Sequence, residues 1–305
     1  MSKSLKPYLL LHLLVFIVSF TGIFGKAIHL QEGVLIWYRL LFSVFFLGLY
    51  IRFFIQTTPI KKEFRWKATM VGCLYAVHWL LWYGSIKYAN VSIAMSTIST
   101  VAVFNALINP FISKNKFNVA ELFLASLASI GMILIFQAKS GHTFGTILGI
   151  ISAFIVAVAS IFNKDLTENN DPYRLTLWEF ASALLFVTLI MPIYLQFNKG
   201  IALVPTTNEI YMLFVFVIVC TLLPFIMNLY VLRKVSSFTS NLAFNMEPVW
   251  GIIAAIIIFK EQKELNTQFY LGLLLILSSV LIYTIIRYYQ NNTVNVLMKS
   301  DDSAE

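Results

Sequence analysis

Charge is what this sequence has least of. Only 12% of its 305 residues are Asp, Glu, Lys or Arg, where a soluble domain carries about 25%. Half the usual solubilising surface is missing, which excludes a soluble enzyme and a nucleic-acid-binding domain. Cysteine is almost absent as well. Cys73 and Cys220 lie far apart, each inside an apolar run, so no disulfide framework or thiolate metal site is expected and both read as small packing residues. The apolar residues do not alternate with polar ones, which excludes the strands of an outer-membrane barrel. No HExxH, GxSxG or phosphate-loop lysine motif stands on a plausible loop, so soluble-style catalysis has no visible machinery and no enzyme activity, cofactor or metal ion is expected.

What is present is apolar. The 59% of AVILMFWYC residues amounts to about 180 side chains, with a mean hydropathy of +0.81. Short polar breaks divide them into ten segments near 8–26, 33–55, 67–89, 92–112, 119–137, 143–163, 173–195, 209–232, 237–259 and 267–288. Each is long enough to cross a hydrocarbon core about 30 Å thick. The first resembles a signal peptide, with Lys3 and Lys6 ahead of it, but no small-x-small cleavage site follows before Lys26, so it reads as an uncleaved first helix. With the N-terminus placed inside, fifteen Lys and Arg residues fall on the cytoplasmic side and six on the other, leaving Arg39 within a helix. That bias predicts both termini in the cytoplasm and an even number of spans. The polar tail 290–305 reads as disordered and cytoplasmic.

The chain also repeats itself. Phe117-Asn118 matches Leu265-Asn266 at an offset of 148 residues, and the stretch around Arg39 matches that around Glu179 at an offset of 140. Five helices is an odd number, so the second copy must enter the membrane upside down. The expectation is an all-α integral membrane protein of ten transmembrane helices in two inverted five-helix repeats, 1–138 and 139–289, before the tail.

One segment carries a resemblance. Asn241, Asn245, Glu247, Pro248, Trp250 and Gly251, continuing through Ala254 to Phe259-Lys260-Glu261, resemble helix nine of the drug/metabolite transporter superfamily, the ten-helix EamA type. Residues 19–25, 33–39 and 269–272 fit the same style, and the likeness covers about 8 to 288. The first repeat departs from it, with Asn115 where a helix-end Glu is common. The resemblance implies alternating-access movement of a small metabolite, such as an amino acid or related compound, often outward, across a bacterial cytoplasmic membrane. With no ATP site visible, gradients would drive it.

Ionisable groups inside a membrane cost about 2.5 to 3.5 kcal/mol each, so each needs a reason to be there. Arg39 lies about 9 Å into its helix and Glu179 about as deep from the opposite end. Their repeat relation predicts opposite halves of a central cavity, with Arg39 anchoring a carboxylate-bearing solute and Glu179 offering a counter-charge or proton site. Snorkelling to headgroups is the alternative for Arg39. Glu247 precedes Pro248, whose missing donor frees a carbonyl, a pairing suited to an ammonium group or to bracing helices. Tyr75, His78, Trp79 and Trp82 follow i, i+3, i+4, i+7 spacing, one helix face able to stack an aromatic or cationic solute. Asn105 and Asn245 are further candidate contacts, Asn105 sharing a face with Asn109 and Asn245 with Asn241. Gly145, Gly149, Ala153 and Ala157 form a small-residue seam for helix packing. The partners expected are a small-molecule substrate, the lipid bilayer and a coupling proton, for a monomer or homodimer. The rival reading is an intramembrane enzyme or lipid-handling protein using His78 and Glu247 as acid and base.

Overall fold

The computed structural model describes residues 6–89, 94, 97–114, 116–136, 143–247, 249–250, 267–268, 270–272, 274–283 and 285–286. Among these, every regular element is helical: α1 (Lys6–Val18), α2 (Thr21–Ala27), α3 (Glu32–Phe54), α4 (Lys62–Tyr88), α5 (Val101–Ile112), α6 (Val119–Phe136), α7 (Thr143–Asn169), α8 (Pro172–Phe197), α9 (Thr207–Val217), α10 (Leu223–Leu232), α11 (Ser237–Phe244) and α12 (Tyr270–Tyr283). A π turn, Ile218–Leu222, joins α9 to α10. The protein is a ten-helix membrane protein, and five of its described helices are long and apolar enough to span by themselves. The 27-residue α4 is also long enough, but its His and aromatic residues lower its hydropathy.

The helix starts follow from capping. Asp171 accepts from the amides of Tyr173 and Arg174 with Pro172 at the first helical position, Thr206 and Glu209 form a capping box, and Ser236 caps Thr239. Four predicted helices are not continuous among the described residues; the fourth turns at Ser99-Thr100 and the ninth at Asn245-Met246. The first breaks after Val18, where the Ser19 hydroxyl takes the Phe16 carbonyl at 2.6 Å and Phe20 bonds back only three residues. The eighth widens into the π turn because Pro224 brings no amide and crowds the carbonyl of Cys220. There the Leu223 amide reaches back five residues to Ile218.

Packing shows the internal repeat. Among the ten segments, the third packs on the sixth (α4 on α7) as the eighth packs on the first (α10 on α1). The fourth packs on the sixth as the ninth packs on the first, and the third on the seventh as the eighth on the second. The second with the seventh, and the fourth with the ninth, meet as symmetry mates. Advancing each segment by five reproduces the pattern, the signature of two opposed five-helix copies. The tightest approach uses the small-residue seam: a Cβ at Gly149 would overlap Thr97, and one at Gly145 would overlap Ala89. Stripes such as Phe45, Leu49 and Phe53, or Leu185, Leu189 and Ile193, stay exposed on the perimeter, where the bilayer is their solvent. The buried apolar residues form two main clusters, one around α3, α4, α8 and α9 and one around α1, α5, α6, α10 and α11.

Candidate functional site

Between the two clusters lies a cavity of about 180 Å³. One face of α4 supplies Tyr75, His78, Trp79 and Trp82, as the helical spacing predicts, and Tyr83 beside them. The aromatic wall is braced from behind: Tyr75 stacks on Trp79 at 5.7 Å, Phe225 meets Tyr75 edge-on at 5.1 Å, and Phe180 meets Trp79 at 5.6 Å.

Arg39 is the cation of the site. It is buried, with its guanidinium carbon 4.6 Å from the Trp79 ring centre and 4.8 Å from that of Phe216. Its Nε donates to Thr221 at 2.9 Å, and Thr221 donates to the Phe216 carbonyl at 3.0 Å, so the π turn aims the hydroxyl that fixes the arginine. Two aromatic rings and one hydrogen bond hold the group in place. No described residue accepts a hydrogen bond from its two terminal nitrogens or pairs with it. Its charge is therefore available to a ligand.

Glu247 lines the same cavity and accepts from the Thr21 hydroxyl at 3.4 Å. Thr21 stands just past the break in the first segment, and Glu247 follows a tightened turn in which Asn245 and Met246 bond back three residues. Pro248 lies outside the described residues, as does most of the segment that carried the resemblance. His78 has a definable tautomer. Ser152 Oγ donates its single proton to the His78 carbonyl at 2.9 Å, so the 2.7 Å contact between that oxygen and Nδ1 needs the proton on Nδ1. Nε2 is left as an acceptor. On the far wall Asn241 donates to Ser160 at 2.9 Å and Ser240 to Asn228 at 2.8 Å.

Seven of the nine residues singled out in the sequence line this cavity: Arg39, Tyr75, His78, Trp79, Trp82, Asn245 and Glu247. The other two do not. Asn105 is fully buried one layer back, donating to Ser160 at 3.3 Å and accepting from Ser237 at 3.4 Å. Glu179 is fully buried behind Tyr75, so Arg39 and Glu179, though repeat-related, do not face one another across the cavity. Sequence reasoning missed Thr21, Tyr83, Ser160, Thr221 and Asn228. A hydroxyl or amide in an apolar helix reads the same whether it lines a cavity or braces a neighbour; only Pro224, which forces the π turn, pointed toward Thr221.

The balance of donors and acceptors says what fits. Trp82 Nε1, Tyr83 Oη and Asn245 Nδ2 belong to residues that line the cavity and have no hydrogen-bond partner, and such orphans call for a ligand, a water or a small rearrangement. With the guanidinium they give a surplus of donors suited to an anionic, acceptor-rich group. Glu247 and His78 Nε2 offer acceptors for a positive or donating group.

A family model described as EamA-like transporter family matches the chain twice, over residues 5–137 and 143–285. A protein of Clostridium kluyveri described as an uncharacterized transporter is 25% identical over 315 aligned residues, covering 96% of each chain. A solved crystal structure superposes with a TM-score of 0.75 at 11% identity, over 93% of this chain and 99% of its own. That last likeness concerns the fold alone.

Proposed function

The chain belongs to the EamA-like transporter family, and from that premise we propose that it is a secondary transporter of small amino-acid-like metabolites, working by alternating access through the central cavity. The observation that carries the substrate class is Arg39: a buried guanidinium clamped by Trp79 and Phe216, with its terminal donors unclaimed. A carboxylate accepts such a fork bidentately. Glu247 and the His78 Nε2 acceptor suit the ammonium end, and the Tyr75–Trp79–Trp82 wall suits an apolar or aromatic side chain. A cavity of about 180 Å³ is below the usual ~300–1,000 Å³ of drug-sized sites, which favours a solute of amino-acid size. Export is the direction the family resemblance implies. The charge bias of the loops supports both termini in the cytoplasm, and the bacterial relative supports a cytoplasmic membrane.

Counterflow in proteoliposomes tests this, with a panel of amino acids, nucleosides and organic cations. Saturable exchange of unmodified carboxylate-bearing amino acids is expected. Chemical conversion of a panel member would favour an intramembrane enzyme using His78 and Glu247, and flux without saturation or counterflow would indicate a channel. Either result overturns the proposal.

A further inference from the structure

Behind the cavity wall lies a second polar cluster that the binding site does not use. Glu179 of α8 is fully buried, and the Asn163 side chain is a donor directed at its otherwise unpartnered carboxyl oxygens. Asn163 of α7 stands beside it; its amide Nδ2 donates to the Tyr75 hydroxyl at 3.0 Å while its Oδ1 has no partner. Thr176, one turn earlier on α8 and equally buried, also has an unpartnered oxygen, and side chains three apart on a helix are neighbours. Among the described residues no Lys, Arg or His pairs with Glu179. Tyr75 faces it from α4 and Asn163 from α7, while Phe225 of α10 lies 4.7 Å from the neighbouring Phe180 ring. Arg39 is occupied elsewhere, between Trp79 and Phe216. The two helices are in backbone contact here: a Cβ at Gly72 of α4 would overlap the Glu179 backbone carbonyl.

The cluster thus inverts the chemistry of the cavity. The cavity has spare donors; this junction has spare oxygens and a carboxyl with no positive charge near it. Buried carboxylates persist when something positive joins them, and oxygen-only sites suit small hard cations. We propose that Glu179, with Asn163, Thr176 and Tyr75, forms a coupling-cation site that takes up and releases a proton or a Na⁺ ion. Tyr75 is the link, because the same side chain walls the cavity and accepts the Asn163 bond. A solute that shifts Tyr75 changes the cation site, and by reciprocity the cation changes solute affinity. That coupling rests on the transport reading above; the cation site itself does not.

The test therefore reads the site without transport. Infrared difference spectra of the purified full-length protein are compared for wild type and Glu179→Gln, across pH and with or without NaCl, alongside binding of radioactive sodium. If the site takes a proton, the wild type shows a protonated-carboxyl band that raising the pH abolishes and that Glu179→Gln lacks. If it takes Na⁺, NaCl abolishes the band and about one sodium binds per wild-type chain and none to the variant. A wild-type band unmoved by pH and Na⁺, or spectra identical in both proteins, overturns the proposal and leaves Glu179 a static brace. Should Glu179→Gln not fold, Asn163→Ala and Thr176→Ala keep the carboxyl and should shift the midpoint roughly tenfold; unshifted midpoints contradict the site. Absent counterflow in the wild type would sink the transport reading and leave this site standing. With both intact, Glu179→Gln loses gradient-driven accumulation.

Discussion

Arg39 is held as a ligand-binding group is held. Its position between Trp79 and Phe216 fixes the plane of the guanidinium, and Thr221 fixes its rotation. Lysine has neither the fork nor the stacking surface. Arg39→Lys should weaken exchange of a carboxylate-bearing solute tenfold or more, since a charged hydrogen bond contributes about 1.5–3 kcal/mol, with the thermal midpoint little changed. Equal exchange in the variant would mean that the arginine only braces the cavity wall. Ser152→Ala tests the His78 assignment at the same scale. It removes the 2.7 Å hydroxyl contact but leaves the Ser152 carbonyl 3.2 Å from Nδ1 to hold the same tautomer, so exchange should keep its KM; a raised KM would show that the hydroxyl, not the carbonyl, sets the ring. Periodicity made the α4 face legible, because four side chains at i, i+3, i+4 and i+7 must point one way. It did not reveal which neighbour each isolated polar residue meets. Asn105 and Glu179 therefore fall one layer outside the cavity, while Thr21 and Ser160 line it without a sequence signal.

Several helix starts were readable in the sequence; lengths and interruptions were less so, since α4 begins five residues before 67 and α7 runs six past 163. The predicted start at 173 and the observed Pro172–Phe197 agree to a residue because Asp171 and Pro172 are a strong start signal. The break at Ser19 depends on one hydroxyl choosing a local carbonyl, and hydropathy cannot show that. The four-residue ladder on α7 was legible as a seam, and Gly149 shows its tolerance: any Cβ there overlaps Thr97. Gly149→Ala should destabilise the protein by about 1–3 kcal/mol, read as a lower thermal midpoint in detergent, and Thr97→Ala should restore part of it. No loss would mean that α7 moves aside freely. Pro224→Ala should let the π turn relax toward regular helix, withdrawing Thr221 from Arg39 and slowing exchange while the fold remains.

At the scale of the whole molecule, two opposed copies enclose one cavity and polar contacts tie both ends. At one end Lys87 pairs with Glu32 at 3.1 Å and Tyr194 donates to Glu32 at 2.8 Å, joining α3, α4 and α8. At the other, Arg233 donates to the Thr167 and Asn170 carbonyls at 2.8 and 2.6 Å. Alternating access requires each end to release in turn. Cys220 lines the cavity as a free thiol, so in a Cys73→Ala background Lys87→Gln should speed its labelling by an impermeant thiol reagent added from the Lys87 face. Unchanged labelling would show that this pair is not a latch. The repeat was legible from two short offsets because exchanging the copies preserves which segments touch; the polar contacts at the two ends were not, since they join residues distant in sequence. Whether Arg39 reads a carboxylate is measured by competition in counterflow between an exchanged amino acid and its decarboxylated amine. The amine should fail to compete with wild type by at least tenfold, and that preference should vanish in Arg39→Lys. An amine that competes as well as the amino acid would contradict the account.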